Sequence, residues 1–130
     1  MIVLDAGVLI GHLRSDDRFH NAASEFLEEH EEFDWAVSAM TLAESLVHAV
    51  RAGRGVSMIG TLERLAVLQL DIASRDALGL AEVRASSELK MPDAIVLYTA
   101  ERHGGELVTT DGALARAAEA RGVTTHLLEA

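Results

Sequence analysis

At 130 residues the chain is long enough for one domain with a substantial core, and 49% apolar against 25% charged residues is ordinary globular composition with no disordered tract. Cysteine is absent, which excludes disulfide scaffolds, zinc ribbons and cysteine nucleophiles; with no basic leader and no run of eighteen apolar residues, the expectation is a soluble, cytoplasmic protein. A formal charge of −10, from 21 acids against 11 Lys and Arg, opposes nonspecific adsorption to nucleic acid or anionic lipid unless bound divalent cations reverse the local field.

Ile2-Val3-Leu4 is a continuous apolar run that reads as a strand buried on both faces, and Asp5 stands where it emerges. Val8, Leu9, Ile10 and Leu13 give a short apolar helical face, and Ser15, Asp16 and Asp17 then mark a turn between Arg14 and Arg18. Asn21 is the expected cap of a second helix with Ala22, Phe26 and Leu27 inward, and Glu25, Glu28, Glu29, Glu31 and Glu32 read as its solvated face. Phe33 to Val37 is a second buried strand. Leu42, Leu46, Ala49 and Val50 recur at helical spacing as far as Gly53 and Gly55, and residues 57–65 form another helix with Ile59 and Leu62 inward.

Ala66 to Asp71 reads as a third strand, followed by a helix from Ala77 to Ala85 that Ser74 or Asp76 caps and whose apolar set is Leu78, Ala81 and Val83. Pro92, the only proline, suits the first turn of a helix through Arg102 that buries Ile95, Val96, Tyr98 and Thr99 and ends at Gly104-Gly105. Glu106 to Thr109 is the fourth strand, Asp111 caps a helix over Gly112 to Arg121, and Val123 to Leu128 is the fifth strand. Strands alternating with helices predict an α/β domain over residues 1–130, with a parallel sheet, right-handed crossovers and helices on both faces.

Four acids carry the chemical reading, and each has a local alternative. Asp5 is placed to cap the helix after the first strand. Glu44 follows Thr41 by three, a capping-box spacing. Asp93 sits in a first helical turn, where the helix dipole favours an acid by roughly 0.3 to 1 kcal/mol, and Asp111 is a good N-cap. Their joint placement argues for more. Asp5, Glu44 and Asp111 follow strands at one edge of a parallel sheet, where chemistry collects in such folds, and Asp93 opens the helix that runs down from that edge. Carboxylates converging there repel unless protonated or bridged by cations, and oxygen ligands without Cys or paired His favour Mg²⁺ or Mn²⁺ over Zn²⁺.

Nothing in the chain competes with that reading. His12, His20, His30, His48, His103 and His126 show no metal-like pairing, and nucleophile elbows, phosphate-binding loops and dinucleotide fingerprints are absent. Arg14, Arg18, Arg51, Arg54, Lys90, Arg102 and Arg116 are candidates for local phosphate contacts.

Four segments, Val3 to Ile10, Val37 to Glu44, Met91-Pro92-Asp93-Ala94 and Leu107 to Asp111, together resemble the motifs of PIN domains, and more narrowly of VapC toxins from toxin–antitoxin pairs. The likeness spans nearly the whole chain. It implies a three-layer α/β/α sandwich around a five-stranded parallel sheet and a Mg²⁺- or Mn²⁺-dependent endoribonuclease. Asp5, Glu44, Asp93 and Asp111 are implied as metal-binding catalytic acids, with Thr109 as a hydrogen-bonding support. A homodimer, an RNA substrate and a cognate VapB-like antitoxin are implied as well. One departure stands out: many relatives carry a hydroxyl or amide within two positions of the first Asp, where this chain has Ala6 and Gly7. Two other readings stay open at the level of sequence, a non-catalytic interaction module and a housekeeping RNA-processing nuclease. A phosphatase with an Asp nucleophile is disfavoured, since its second Asp would fall at Gly7.

Overall fold

The apolar run at the start of the chain lies at the centre of a sheet. In the computed structural model, which describes every residue from Met1 to Ala130, β1 (Ile2–Leu4) pairs with β2 (Trp35–Ser38) on one side and β4 (Glu106–Thr109) on the other. β3 (Leu68–Leu70) and β5 (Thr125–Leu127) form the edges, giving the order β3-β2-β1-β4-β5 with every pairing parallel. Ile2, Val3 and Leu4 are at most 1% exposed, which is why the segment is apolar without alternation.

Seven helices cover the sheet: α1 (Ala6–Leu13), α2 (His20–Glu29), α3 (Ala39–Arg51), α4 (Gly55–Arg64), α5 (Ala77–Ser87), α6 (Met91–Arg102) and α7 (Gly112–Ala120). The two-residue period of the strands divides the core in two. Ile2, Leu4, Val37 and Val108 pack with Leu9, Phe26, Leu42 and Leu62 from α1 to α4. Val3 and Leu107 pack with Val83, Leu97 and Leu114 from α5, α6 and α7. Each such side chain contributes roughly 1.5 to 3 kcal/mol of burial, so a one-residue slip of β1 would turn both cores inside out. No helix is long and apolar enough to cross a membrane.

The strand order places the switch point between β1 and β4. From β1 the chain moves outward through β2 and β3, then returns to the other side of β1 to lay down β4 and β5. Ligand crevices in open parallel sheets form outside the carboxyl ends of the strands at such a point, and those ends here carry Asp5 and the Thr109–Asp111 segment.

Several sequence expectations are corrected by the packing. Asn21 lies inside α2, whose N-cap is Phe19 with no side-chain cap, and Ala23 rather than Ala22 is the buried alanine. The second strand begins at Trp35 because Phe33 is held in a turn by a bond from its N–H to the His30 carbonyl. The third begins only at Leu68 because Ala66 sits at φ 57°, in the left-handed region, and the fifth covers only Thr125–Leu127. Val50 is 63% exposed on the outer side of α3.

Helix α5 turns Leu80 and Val83 inward, while Leu78 is 72% exposed and Ala81 faces solvent. Gly79 helps to set that rotation, since a Cβ there would lie 2.6 Å from Cε1 of Tyr98 on α6. Beside this close approach Asp76, only 1% exposed, accepts hydrogen bonds from the Tyr98 hydroxyl (2.7 Å) and the Ala73 N–H (2.8 Å) and an ion pair from Arg102 Nε (3.2 Å). The Tyr98 hydrogen bond, then the backbone N–H, and to a smaller extent Arg102 hold its carboxyl below the usual range. Asp76 therefore joins the segment before α5 to α6, and Arg102 is committed to it rather than free for substrate.

Candidate acidic site

Asp5 is the N-cap of α1, and both of its oxygens are engaged. Oδ1 accepts from the Ala6 N–H at 2.8 Å, and Oδ2 accepts from Thr109 Oγ1 at 2.6 Å, a contact that joins two ends of the sequence through the β1–β4 pairing. An ionised carboxylate offers about four lone-pair positions, so two remain for a ligand. Thr109 is fully buried, and the same Oγ1 accepts the Asp111 N–H at 3.0 Å, so one hydroxyl fixes the directions of Asp5 and of the Asp111 backbone. Asp111 in turn caps α7, its Oδ1 accepting from Ala113 N at 2.8 Å and Leu114 N at 3.3 Å.

The local alternative for Glu44 does not hold. The cap of α3 is Ser38, whose hydroxyl accepts the Thr41 N–H at 3.1 Å, so Thr41 is the third helical residue and Glu44 lies well inside the helix. Asp93 does stand in the first turn of α6, where its local alternative puts it; the N-cap is Lys90, and Pro92 shares that turn.

Electrostatics joins the four. Asp93 is pushed up to about 6, first by burial and then by Asp5, Asp111 and Glu44, against a smaller opposing effect of Lys90. A favourable helix dipole would act the other way, so neighbouring acids and desolvation prevail. Burial raises Asp5 most, opposed by the Thr109 and Ala6 hydrogen bonds and reinforced by Asp111. Partial burial and Asp5 raise Glu44. Each acid thus lies within electrostatic reach of others in the set, although no three Asp, Glu or His side chains stand ready-made at cation-ligand spacing. A hard divalent cation suits the donor set, because oxygen ligands carrying mutually repelling charge are stabilised when a cation offsets it.

The departure at Ala6 and Gly7 has a steric counterpart. A Cβ on Gly7 would lie 2.6 Å from Thr110 Oγ1, so the first turn of α1 leaves room for a hydroxyl arriving from the loop after β4. No sequence signal connects positions 7 and 110. His12 and His20 are engaged elsewhere, with Nδ1 atoms 2.9 Å from Ser24 Oγ and the Gly11 carbonyl oxygen respectively.

Two clefts share Glu44 as a wall. One of about 310 Å³ is mostly apolar, lined by Met40, Ala43 and Val47 of α3 and Pro92 and Ile95 of α6. Met40, Val47 and Val50 leave the outer side of α3 apolar and exposed, whereas Ile59, Leu62 and Leu65 pack against the core. The second cleft, about 110 Å³, lies between α1, α3 and α4 and is bordered by Arg14, His48 and Arg54.

A family profile described as PIN domain matches residues 2–120. A chain in a toxin–antitoxin complex from Klebsiella pneumoniae is 27% identical, with a TM-score of 0.69 over 85% of this chain and 87% of that one. VapBC2 from Rickettsia felis, bound to a promoter DNA fragment, gives 0.75 at 15% identity, covering 99% and 100%. VapC20 from Mycobacterium tuberculosis, a sarcin–ricin-loop-cleaving toxin, gives 0.71 at 17% identity, covering 90% and 95%. The latter two likenesses are of fold alone. No match is found among curated proteins.

Proposed function

The chain belongs to the PIN-domain family, and from that premise we propose that it is a divalent-metal-dependent endoribonuclease, the toxin of a VapBC-type pair. The observation that carries the proposal is the group of acids at the β1–β4 switch point, with Asp93 raised to about 6 by burial and then by its acidic neighbours while Thr109 holds Asp5 in a fixed direction. Groups whose ionisation is opposed by burial and like charge, gathered where a sheet of this kind binds ligands, are the pattern of a working site.

Asp5, Glu44, Asp93 and Asp111 are the residues that would hold Mg²⁺ or Mn²⁺. Such a cation, when bound, supplies Lewis acidity: it offsets charge developing on the phosphate and eases deprotonation of the attacking water. Thr109 holds the Asp5 carboxylate in one orientation through Oδ2, the kind of outer contact on which ligand geometry depends. Glu44, which is exposed and raised above its ordinary value, suits the orientation of water and uptake of its proton. The water oxygen forms the new bond to phosphorus, the bond to the leaving oxygen breaks, and that oxygen takes a proton from solvent. No side chain becomes covalently attached, consistent with the absence of any activated nucleophile.

An antitoxin partner is supported by the toxin–antitoxin complex among the relatives, and a homodimer by the exposed apolar side of α3 at Met40, Val47 and Val50. The test is cleavage of a defined single-stranded RNA pool by the partner-free chain with Mn²⁺, against Asp5→Asn, Asp93→Asn and an EDTA control. Activity that survives EDTA, or that is equal in all three proteins, would remove the proposal.

A further inference from the structure

The cleft between α1, α3 and α4 meets the chemistry above only at Glu44, yet it is where two guanidinium groups and an imidazole come together in a chain of net charge −10. Arg14 arrives from the end of α1, His48 from α3 and Arg54 from the turn before α4. Leu13 and Met58 provide apolar walls, and Glu44 forms the boundary with the acid group.

These side chains retain donors for a ligand. Arg14 makes one contact, Nη2 to Asp16 Oδ2 at 3.1 Å, with Asp16 73% exposed. A guanidinium has five N–H donors, so that surface pair leaves most of them free. His48 and Arg54 have no side-chain hydrogen bond or ion pair, and both face solvent. Two Arg side chains elsewhere are committed by contrast, Arg102 to Asp76 and Arg121 to Glu101 through Nε at 2.8 Å and Nη2 at 3.1 Å.

We infer that Arg14, His48 and Arg54 form a subsite for an RNA backbone phosphate next to the one cleaved at the acids. The inference rests on the nuclease reading and deepens it. An anionic polymer is repelled by most of this surface, so its approach depends on the few places where positive charge is concentrated. This cleft is such a place, and Glu44 both lines it and belongs to the acid group, so a strand with its scissile phosphate at Asp5 and Asp93 need pass only Glu44 to continue into it. Phosphate contacts of this kind position the strand without reading its sequence.

The experiment measures steady-state cleavage of a labelled single-stranded RNA with Mn²⁺ over a range of KCl concentrations. It compares the wild-type chain with Arg14→Gln, Arg54→Gln and the double variant, and uses Arg84→Gln on α5, across the sheet, as a control. The double variant is expected to raise KM about tenfold at low salt with kcat within about twofold, and to flatten the log–log salt dependence by about one unit per cation removed. Arg84→Gln should follow the wild type. All three cleft positions are at the surface, and a thermal melt confirms folding. EDTA-sensitive cleavage by the wild type, with KM and salt slope unchanged in the double variant, would overturn the subsite and leave the nuclease reading standing. So would loss of a helical antitoxin peptide by the double variant without a change in RNA KM, which would assign the cleft to a protein. No cleavage by the wild type under any metal condition would overturn the nuclease reading itself, and this inference with it.

Discussion

Asp5 and Asp76 are both buried carboxylates, 8% and 1% exposed, and their surroundings are opposite. Asp76 is met by donors only, a phenol, a backbone N–H and a guanidinium, and its carboxyl is held low. Asp5 also accepts two hydrogen bonds, yet burial and Asp111 hold it high, and its neighbours Asp93 and Glu44 are raised as well. A satisfied acid joins segments of the fold, whereas acids that oppose one another are the kind whose repulsion a bound cation would relieve. On the proposed function, that difference is the one between an architectural carboxylate and a chemical one.

The largest test of that contrast is Asp5→Asn. Losing a cation ligand removes several kcal/mol of transition-state stabilisation, so RNA cleavage with Mn²⁺ should fall on the order of a thousandfold while the far-ultraviolet circular dichroism spectrum is retained. Asp76→Asn should act the other way round. Its thermal midpoint should drop on the order of 10 °C by calorimetry, because one of the two buried acceptor oxygens becomes an amide donor facing a donor and the charge paired with Arg102 is lost, and cleavage per folded molecule should be kept.

Metal binding sharpens the comparison further. Mn²⁺ at about a hundred times its dissociation constant should stabilise the wild type by about 2.7 kcal/mol, and the gain should vanish in Asp5→Asn but persist in Asp76→Asn. Thr109→Val, which removes the hydroxyl shared by Asp5 and the Asp111 N–H, should cost roughly 10- to 100-fold in activity or metal affinity.

The smallest effect is in pH. Folded Asp93 keeps its proton to about pH 6, against an ordinary value of 3.8, so between those values the folded state binds more protons than the unfolded one. Its contribution is therefore fully present below about 3.8 and lost as pH rises through about 6. In EDTA at pH 7.5, Asp93→Asn should be the more stable protein by about 1 kcal/mol after allowance for solvent exposure, roughly 3 °C, and the gap should close at pH 3.5. Asp76 has the opposite sign: its contribution is present above the ordinary carboxylate value and is lost as pH falls through its depressed folded value.

The central strands were legible because burial on both faces leaves a run of apolar residues, as in Ile2-Val3-Leu4 and Leu107-Val108. The edges were less so. β3 and β5 are only three residues long and partly exposed, and the backbone twist at Ala66 has no compositional mark. The phase of α5 was misread because Ala77, Leu78, Leu80, Ala81 and Val83 place apolar residues around much of the helix, leaving the close approach at Gly79 to select which turn inward. That the four acids come within electrostatic reach of one another was legible from their positions relative to the strands. What spacing alone does not carry is which of them has a competing duty: Ser38 relieves Glu44 of capping, whereas Asp111 caps α7 as well as facing the site.

The meeting of Gly7 with Thr110 makes two distant positions interdependent. A bulkier residue on the opening turn of α1 is tolerable only if the loop beyond β4 surrenders volume, and a smaller residue at 110 would leave a hollow beside the glycine. Engineering that grafts a serine or threonine two places beyond the leading aspartate must therefore trim its counterpart in the same step, or it will push apart the very strands whose ends bring the acids together.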